Sequence, residues 1–317
     1  MPSIAEPTVF PQAAGTCAPC AVAVGNFDGV HLGHAVIVRR LREAAGRHGV
    51  PAVVLTFDPH PASILRPEQA PRPLTTPARR AELLQSLGVD AVFVQPATAA
   101  LMALEAEAFY ADFLLKKFAA RAVVEGQDFR FGAQRRGDVP MLATLCRQDG
   151  MELDVVPPVV VDGEPVSSSR IRALVAAGGL AAARRLLTSP YRLTGEVVVG
   201  ARRGATIGFP TANLARIATL LPALGVYAAV ARIDGVAIPA AVHVGPNVTF
   251  GETTVSVEAH LIGFAGDLYG RVLDVDFLDR VRDTRHFASV DDLKAQLADD
   301  VAAAGRIVAA SSSPGTT

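Results

Sequence analysis

The densest chemistry in the chain lies in ten consecutive residues, Gly25-Asn26-Phe27-Asp28-Gly29-Val30-His31-Leu32-Gly33-His34. They follow an apolar β-like run directly and open a helical pattern directly. At such a strand-to-helix turn, glycines let the backbone approach phosphate oxygens, and the free N–H groups and dipole of the helix start attract anions. The segment is neither a G-x-x-x-x-G-K-[ST] loop nor a G-x-G-x-x-G turn, so the usual nucleotide motifs do not account for it. It carries two of the chain's seven histidines instead. Three residues apart at a helix start, His31 and His34 can both face one phosphate and donate hydrogen bonds to charge that builds up during attack on phosphorus. The competing reading makes them caps and padding for the first turn.

Three further segments offer groups for the same chemistry. Thr56-Phe57-Asp58-Pro59-His60-Pro61 ends an apolar run, and its prolines stiffen the loop into a wall. In Gly126-Gln127-Asp128-Phe129-Arg130-Phe131-Gly132, Asp128 is an acceptor for an adenine or ribose donor, and Phe129 and Phe131 can shelter an aromatic ring, or else are ordinary core aromatics. Val166-Ser167-Ser168-Ser169-Arg170-Ile171-Arg172 sets hydroxyls at a helix start, with Arg172 in reach of a triphosphate.

These groups need elements to hold them. From Ala21 to about Leu187, continuous apolar runs alternate with amphipathic helical stretches such as that from about Gly33 to Arg47. The runs at 91–94, 122–126 and 152–157 do not alternate, as expected when helices cover both faces of a parallel sheet. A doubly wound α/β domain follows. After Leu187 the texture changes to short β-like runs at 193–199, 226–233, 238–244, 255–262 and 272–277, separated by Gly, Pro and Asn. That pattern predicts a small antiparallel β-barrel, closed by one helix from about Val290 to Ala304. A proline in Thr188–Arg192 ends the helix of Leu180–Leu187, so the expected domains are 1–187 and 188–317, the latter with a frayed polar tail.

Composition bounds the reading further. A chain of 317 residues is long enough for two domains, and with 50% hydrophobic and 19% charged residues it folds rather than stays disordered. Thirty basic against 31 acidic side chains give a net charge of -1, which supplies no general drive toward nucleic acid or membrane. No apolar run approaches the length of about 18 that a spanning helix needs, and no secretion signal opens the chain, so a cytoplasmic location is expected. Three cysteines make no disulfide framework, and Cys17 and Cys20, a C-x-x-C ahead of the first apparent strand, read as incidental thiols.

The ten-residue segment resembles the H-x-G-H signature of nucleotidylyltransferases, in the version carried by bacterial bifunctional riboflavin kinase/FAD synthetases. The Thr56, Gly126 and Val166 segments match that family in order. In the second half, Gly204-Ala205-Thr206-Ile207-Gly208-Phe209-Pro210-Thr211-Ala212-Asn213-Leu214 resembles the riboflavin kinase P-T-A-N motif, and Glu258 resembles its catalytic base. The stretches at 225–228, 267–270 and 282–287 complete an ordered set. The resemblance implies a soluble enzyme of two ATP-dependent activities, phosphorylation of riboflavin to FMN and adenylylation of FMN to FAD with release of pyrophosphate. It further implies His31, His34 and Arg172 at the adenylylation chemistry and Glu258 at the kinase. Gly25, Phe27, Asp28, Gly33, Asp128, Ser168, Ser169, Gly204 and Gly208 would sit around nucleotide, and Pro59, His60, Phe129, Arg282 and Phe287 around flavin. Thr211 and Asn213 would hold Mg²⁺, for which hydroxyl and amide oxygens are suitably hard ligands. The implied partners are thus riboflavin, FMN, FAD and ATP.

The chain departs from the family pattern at several places. Ser169 stands where threonine is usual, which keeps the hydroxyl. Ala205 replaces an arginine near phosphate, for which Arg202 and Arg203 lie close enough to substitute. Pro246 and Val248 mark a shifted proline, Asn247-Val248-Thr249 forms a sequon, and Thr284 replaces a glutamate. These departures leave two alternatives open: an adenylyltransferase whose kinase half is disabled or redirected, and a non-catalytic flavin or ATP sensor.

Overall fold

The computed structural model describes residues 5–11, 17–200, 203–246 and 254–312. Arg202, the Asn247-Val248-Thr249 sequon with Phe250, and the last five residues of the tail lie outside them. Contacts divide the chain into two compact units, Met1–Ser168 and Ser169–Thr317.

The first unit is built on a six-stranded sheet in the order β1-β4-β3-β2-β5-β6, with β1 Thr8–Phe10, β2 Ala21–Val24, β3 Ala52–Asp58, β4 Ala91–Pro96, β5 Ala122–Gly126 and β6 Glu152–Val156. Every neighbouring pair is parallel except β1 on β4, an antiparallel edge strand of three residues that the sequence pattern did not announce. The helices of this unit are α1 Leu32–His48, α2 Pro61–Leu65, α3 Pro77–Ser86, α4 Ala99–Met102, α5 Ala106–Phe109 and α6 Val139–Gln148, with a π-helical turn at Tyr110–Lys117. Both faces of the sheet are covered. On one, Val22, Val24, Val123 and Leu55 pack under Phe113, Leu142 and Cys146; on the other, Ala21, Ala23, Val54 and Val124 pack under Val38 and Leu41 of α1 and Leu84 of α3. Burial on two sides is why β2 and β3 read as unbroken apolar runs. The strand order reverses between β2 and β5, which opens a crevice at their carboxyl ends, the usual ligand position in open α/β sheets. The short hairpin β7 Val160–Val161 and β8 Glu164–Pro165 follows β6.

α7 Ser168–Ala176 begins on the last residue of this unit and runs into the second, which continues with α8 Leu180–Leu186. α8 buries Leu180, Ala183 and Leu186 and packs on strands of the barrel. The contact division therefore falls ahead of the boundary expected at Thr188–Arg192, because the helices before Pro190 share their core with the strands after it.

The second unit is a closed barrel of six strands in the order β10-β13-β12-β11-β14-β9, all antiparallel. They are β9 Tyr191–Val198, β10 Ala212–Ala215, β11 Gly225–Ile233, β12 Val236–Gly245, β13 Ser256–Leu261 and β14 Val272–Arg282. Five of these match the β-like runs. The sixth, β10, begins inside the P-T-A-N motif, where four residues soon after a proline carry too little alternation to read as a strand. Tyr191, Leu193 and Val197 of β9 and Val257, Ala259 and Leu261 of β13 alternate inward, and Tyr227 meets Phe277 edge to face, ring centroids 5.5 Å apart. The four-residue α9 Arg203–Thr206 precedes β10, and α10 Val290–Ser312 packs Ala304 against Ala228 and Ala241 on the outer face of the barrel.

Candidate active sites

In the first unit, β2 delivers the chain to the crevice and the residues 25–30 turn it into α1. The turn is strained. Phe27 and Val30 hold φ at 47° and 44°, a region that non-glycine residues enter at a cost of order 1–3 kcal/mol each. Asp28 holds the strain in place: it is 1% exposed, and its carboxylate accepts from the N–H groups of Leu74 and Thr75 at 2.9 Å and from the Thr75 hydroxyl at 2.9 Å. Arg80 of α3 stands 3.8 Å from the same carboxylate and donates to Thr56 Oγ1 at 2.9 Å, whose own hydroxyl donates to the Asn26 carbonyl. Asp28, expected near nucleotide, staples the loop and is not among the residues that line the cavity above it. Asp28→Ala leaves two buried N–H groups and the Arg80 guanidinium without their counterpart, so the first unit is expected to lose about 3 kcal/mol in a urea unfolding curve while the barrel's transition stays where it was.

The two histidines cap the helix and can also donate. His31 is the N-cap of α1: its Nδ1 accepts from the His34 N–H at 3.3 Å, while His34 Nδ1 accepts from the His31 N–H at 3.3 Å. The rings stack, centroids 3.6 Å apart and 16° from parallel. Because each Nδ1 is an acceptor, the proton of each neutral ring stands on Nε2. Capping and phosphate binding thus use different nitrogens, and the two readings of the sequence are compatible. Gly33 makes the stack feasible, since a Cβ there would lie 3.0 Å from the His31 ring. Burial pushes the His31 imidazole down to about 4 against the opposing pull of Asp28 and Asp128, and it holds His34 well below the usual range, with His31 and Arg80 adding to the effect. Both rings are therefore uncharged at neutral pH. The sign of the linkage follows. As pH falls from about 6.5 toward 4 the unfolded chain takes up protons that the folded histidines refuse, so stability is expected to drop across that window, measurable as a lower urea midpoint at pH 5 than at pH 7.5.

A cavity of about 500 Å³ opens over this turn. Gly25, Phe27, His31, Gly33, His34, Asp128, Phe129 and Ser168 all line it, so eight of the expected residues converge. Ile37, Val156, Pro157, Pro158 and Val159 form an apolar wall suited to an aromatic ring. Phe129 stacks on the buried Phe131 at 5.4 Å. Ser168, first residue of α7, donates to the Asp28 carbonyl at 2.8 Å. Pro59 and His60 do not line the cavity; His60 caps α2 and meets the site through Asn26, whose side-chain amide is 3.0 Å from His60 Nε2. Ser169 and Arg172 fall in the second unit, Arg172 one turn beyond Ser168 along α7. Among the residues that sequence reasoning passed over, Asn26, Arg80 and Glu125 matter most. Asn26 lies in the ten-residue segment but was given no role there, Arg80 and Glu125 stand out by type alone, and each is defined by partners 24 to 101 positions away.

In the barrel, register does the assembling. Asn213 of β10 stands opposite Glu258 of β13, which in turn stands opposite His243 of β12, so the three share the outer face in one row across the strands. Glu258 Oε2 accepts from the Thr211 hydroxyl at 3.2 Å and Oε1 from Ser256 Oγ at 3.1 Å. The Thr211 oxygen keeps its lone pairs, and with Asn213 it offers hard donors that fit a small divalent cation still carrying water and phosphate oxygens. Two contacts fix the turn ahead of β10. His260 Nδ1 bonds the Pro210 carbonyl at 2.8 Å, and Gly204 lets Phe209 close back on it, where a Cβ would lie 2.3 Å from the Phe209 oxygen. Arg282 is anchored by α10: its guanidinium bonds the buried Asp300 through Nε at 2.8 Å and Nη2 at 2.6 Å. It stands 5.7 Å from the Phe287 ring, which Arg285 also approaches at 4.7 Å. Burial pushes the Cys17 and Cys20 thiols upward, Cys20 to about 12, which is the condition of inert cysteines.

Comparison with known proteins falls on the same two halves. The FAD synthetase family matches residues 15–170 and the riboflavin kinase family residues 187–308. A bifunctional riboflavin kinase/FMN adenylyltransferase of Pseudomonas fluorescens is 38% identical over 92% of this chain and 94% of its own. The protein of the same description from Escherichia coli K12 is 35% identical over 89% and 90%. A crystal structure described as a macrolide-efflux protein from Streptococcus pneumoniae superimposes with a TM-score of 0.82 at 35% identity, covering 91% and 94% of the two chains. Among the described residues of this chain, no helix is long and apolar enough to cross a membrane.

Proposed function

Because the chain belongs to the bifunctional riboflavin kinase/FMN adenylyltransferase family, we propose that the glycine-histidine cavity carries the adenylylation of FMN and the barrel row carries the phosphorylation of riboflavin. Both activities take ATP. The observation that supports this division most directly is that each half assembles its own constellation: His31 and His34 over the first crevice, and Thr211, Asn213 and Glu258 along one face of the barrel.

In adenylylation, an oxygen of the FMN phosphate attacks the α-phosphorus of ATP and pyrophosphate leaves, with no covalent enzyme intermediate. His31 and His34 give Nε2–H bonds to the charge that grows on the α-phosphoryl oxygens, as fixed neutral donors. Arg172, Ser168 and Ser169 steady the polyphosphate, and Asp128 and the apolar wall receive base and sugar. Phe129 shelters the flavin side of the cavity, with Pro59 and His60 behind it. In phosphorylation, Glu258 takes the proton of the riboflavin 5′-hydroxyl as its oxygen attacks the γ-phosphorus. Gly204 and Gly208 bring backbone close to the ATP phosphates, and Phe287, backed by Arg282, offers a face for the flavin ring. Thr211 and Asn213 would hold Mg²⁺, which when bound neutralises phosphoryl oxygens. The same reading sets the chemical boundary at 187/188 and the enzyme in the cytoplasm.

Incubation with riboflavin, ATP and Mg²⁺, followed by chromatography of the flavins, is expected to show FMN and then FAD. Feeding FMN separates the halves: FAD from FMN with no product from riboflavin would mean that Ala205 and Thr284 mark a redirected barrel. Since both histidines are already neutral, a limb of kcat/KM for FAD formation near pH 6 belongs to the second ionisation of the FMN phosphate, at about 6, and should persist in His34→Ala. A limb that disappears with the imidazole would remove the neutral-donor mechanism.

A further inference from the structure

Glu125, next to last in β5, stands in the crevice where the strand order reverses, is 2% exposed, and lines the adenylylation cavity. Its position interrupts the sheet. Pairing of β2 with β5 runs through Ala21 with Ala122 and Val22 with Val123. Beyond that the Val24 N–H turns to the Glu125 side chain and donates to Oε1 at 2.6 Å. The next residue is Gly25, so the carboxyl stands at the root of the phosphate turn, on the floor of the cavity. Among the described residues no hydrogen bond reaches Oε2. No lysine or arginine is among the residues lining the cavity. Burial, with Asp128 adding to it, drives the carboxyl well above the usual range, and the Val24 N–H only partly opposes this. A neutral acid arranged this way is fully specified: Oε1 is the carbonyl oxygen that accepts from Val24, and the proton sits on Oε2.

We propose that Glu125 is a substrate-binding residue of the adenylylation site, a neutral carboxylic acid that gives its Oε2–H to a phosphate oxygen of the bound FMN and ATP. Charge logic favours this form, because an ionised carboxylate on the floor of a phosphate seat would repel the substrate, whereas the acid adds a third uncharged donor to those of His31 and His34. The inference rests on the adenylyltransferase reading of the cavity.

The test compares the full-length parent, Glu125→Met and Glu125→Gln in FAD formation from FMN and ATP, with riboflavin phosphorylation by the same preparations measuring the folded enzyme. Met removes the donor and should lower kcat/KM about 10-fold or more. Gln keeps both halves of the pattern, its carbonyl toward Val24 and its amide N–H toward the phosphate, and should restore most of that loss. If Gln is as impaired as Met, an ionised carboxylate is required and the proposal is overturned; if Met matches the parent, Glu125 is filler and it is overturned equally. Should Met also lose phosphorylation, the pH profiles of parent and Gln decide. The parent should lose FAD formation at alkaline pH as the acid ionises, and Gln should not; identical profiles overturn the proposal. Asp128 on the following loop, Cys146 on α6, and His31 and His34 on α1 also face this region, but they are common to both proteins and cancel in the comparison. A parent that makes FMN yet no FAD counts against the adenylyltransferase reading itself.

Discussion

His31→Ala is expected to lower turnover of FMN to FAD by about two to three orders of magnitude, the usual consequence of removing one fixed donor from a developing oxyanion. Phosphorylation of riboflavin should be unchanged, because its groups lie on the barrel. The substitution also removes the cap of α1, since His31 Nδ1 accepts from the His34 N–H, and loss of a cap costs about 1 kcal/mol. A second variant separates the two roles. Asparagine is a good N-cap, so His31→Asn should recover the stability lost by alanine, yet it places no donor where Nε2–H stood. The expected pattern is therefore alanine less stable than asparagine in urea and both slow in FAD formation. If asparagine recovers turnover along with stability, the ring serves α1 alone and the phosphate chemistry belongs to other groups.

What could be seen in the sequence was whatever the chain writes locally. The strand, glycine turn and helix around His31 occupy fewer than thirty consecutive residues, and their apolar period and turn chemistry point to one structure. The Asn213 strand was invisible because its four residues pair only by closing the barrel, with β9 on one side and β13 on the other. The part Asp28 plays in holding the loop was hidden because nothing nearby says that Leu74, Thr75 and Arg80 converge on it. The anchoring of Arg282 was hidden in the same way: only the packing of α10 shows that the buried Asp300 holds its guanidinium. Glu125 was read as part of a plain strand, and its meaning arises from a ladder that stops at Val22, two residues short of the phosphate turn. Residue types and local order thus identified the chemistry, while long-range pairing decided which groups reach it and which hold others in place.

Glu258→Gln should reduce riboflavin phosphorylation by about 10² to 10⁴, the range over which general base catalysis acts. Glutamine preserves the volume, and where Thr211 and Ser256 donate to the two Glu258 oxygens at 3.2 and 3.1 Å, its amide oxygen can accept from one hydroxyl while its NH₂ donates to the other. The row with Asn213 and His243 therefore keeps its register, and the donors for a divalent cation remain in place. What disappears is the capacity to take a proton from the 5′-hydroxyl as its oxygen attacks phosphorus. The loss should consequently fall on kcat, with the riboflavin KM close to that of the parent, because the carboxylate's contribution is made in the transition state. FMN supplied directly should still be converted to FAD at the parent rate, since His31 and His34 work without the barrel row. The variant should thus stall on riboflavin and run on FMN. Phosphorylation at the parent rate would reduce Glu258 to a strand residue held by two hydroxyls. A matched rise in KM with kcat preserved would make it a contact that binds riboflavin equally in ground and transition states.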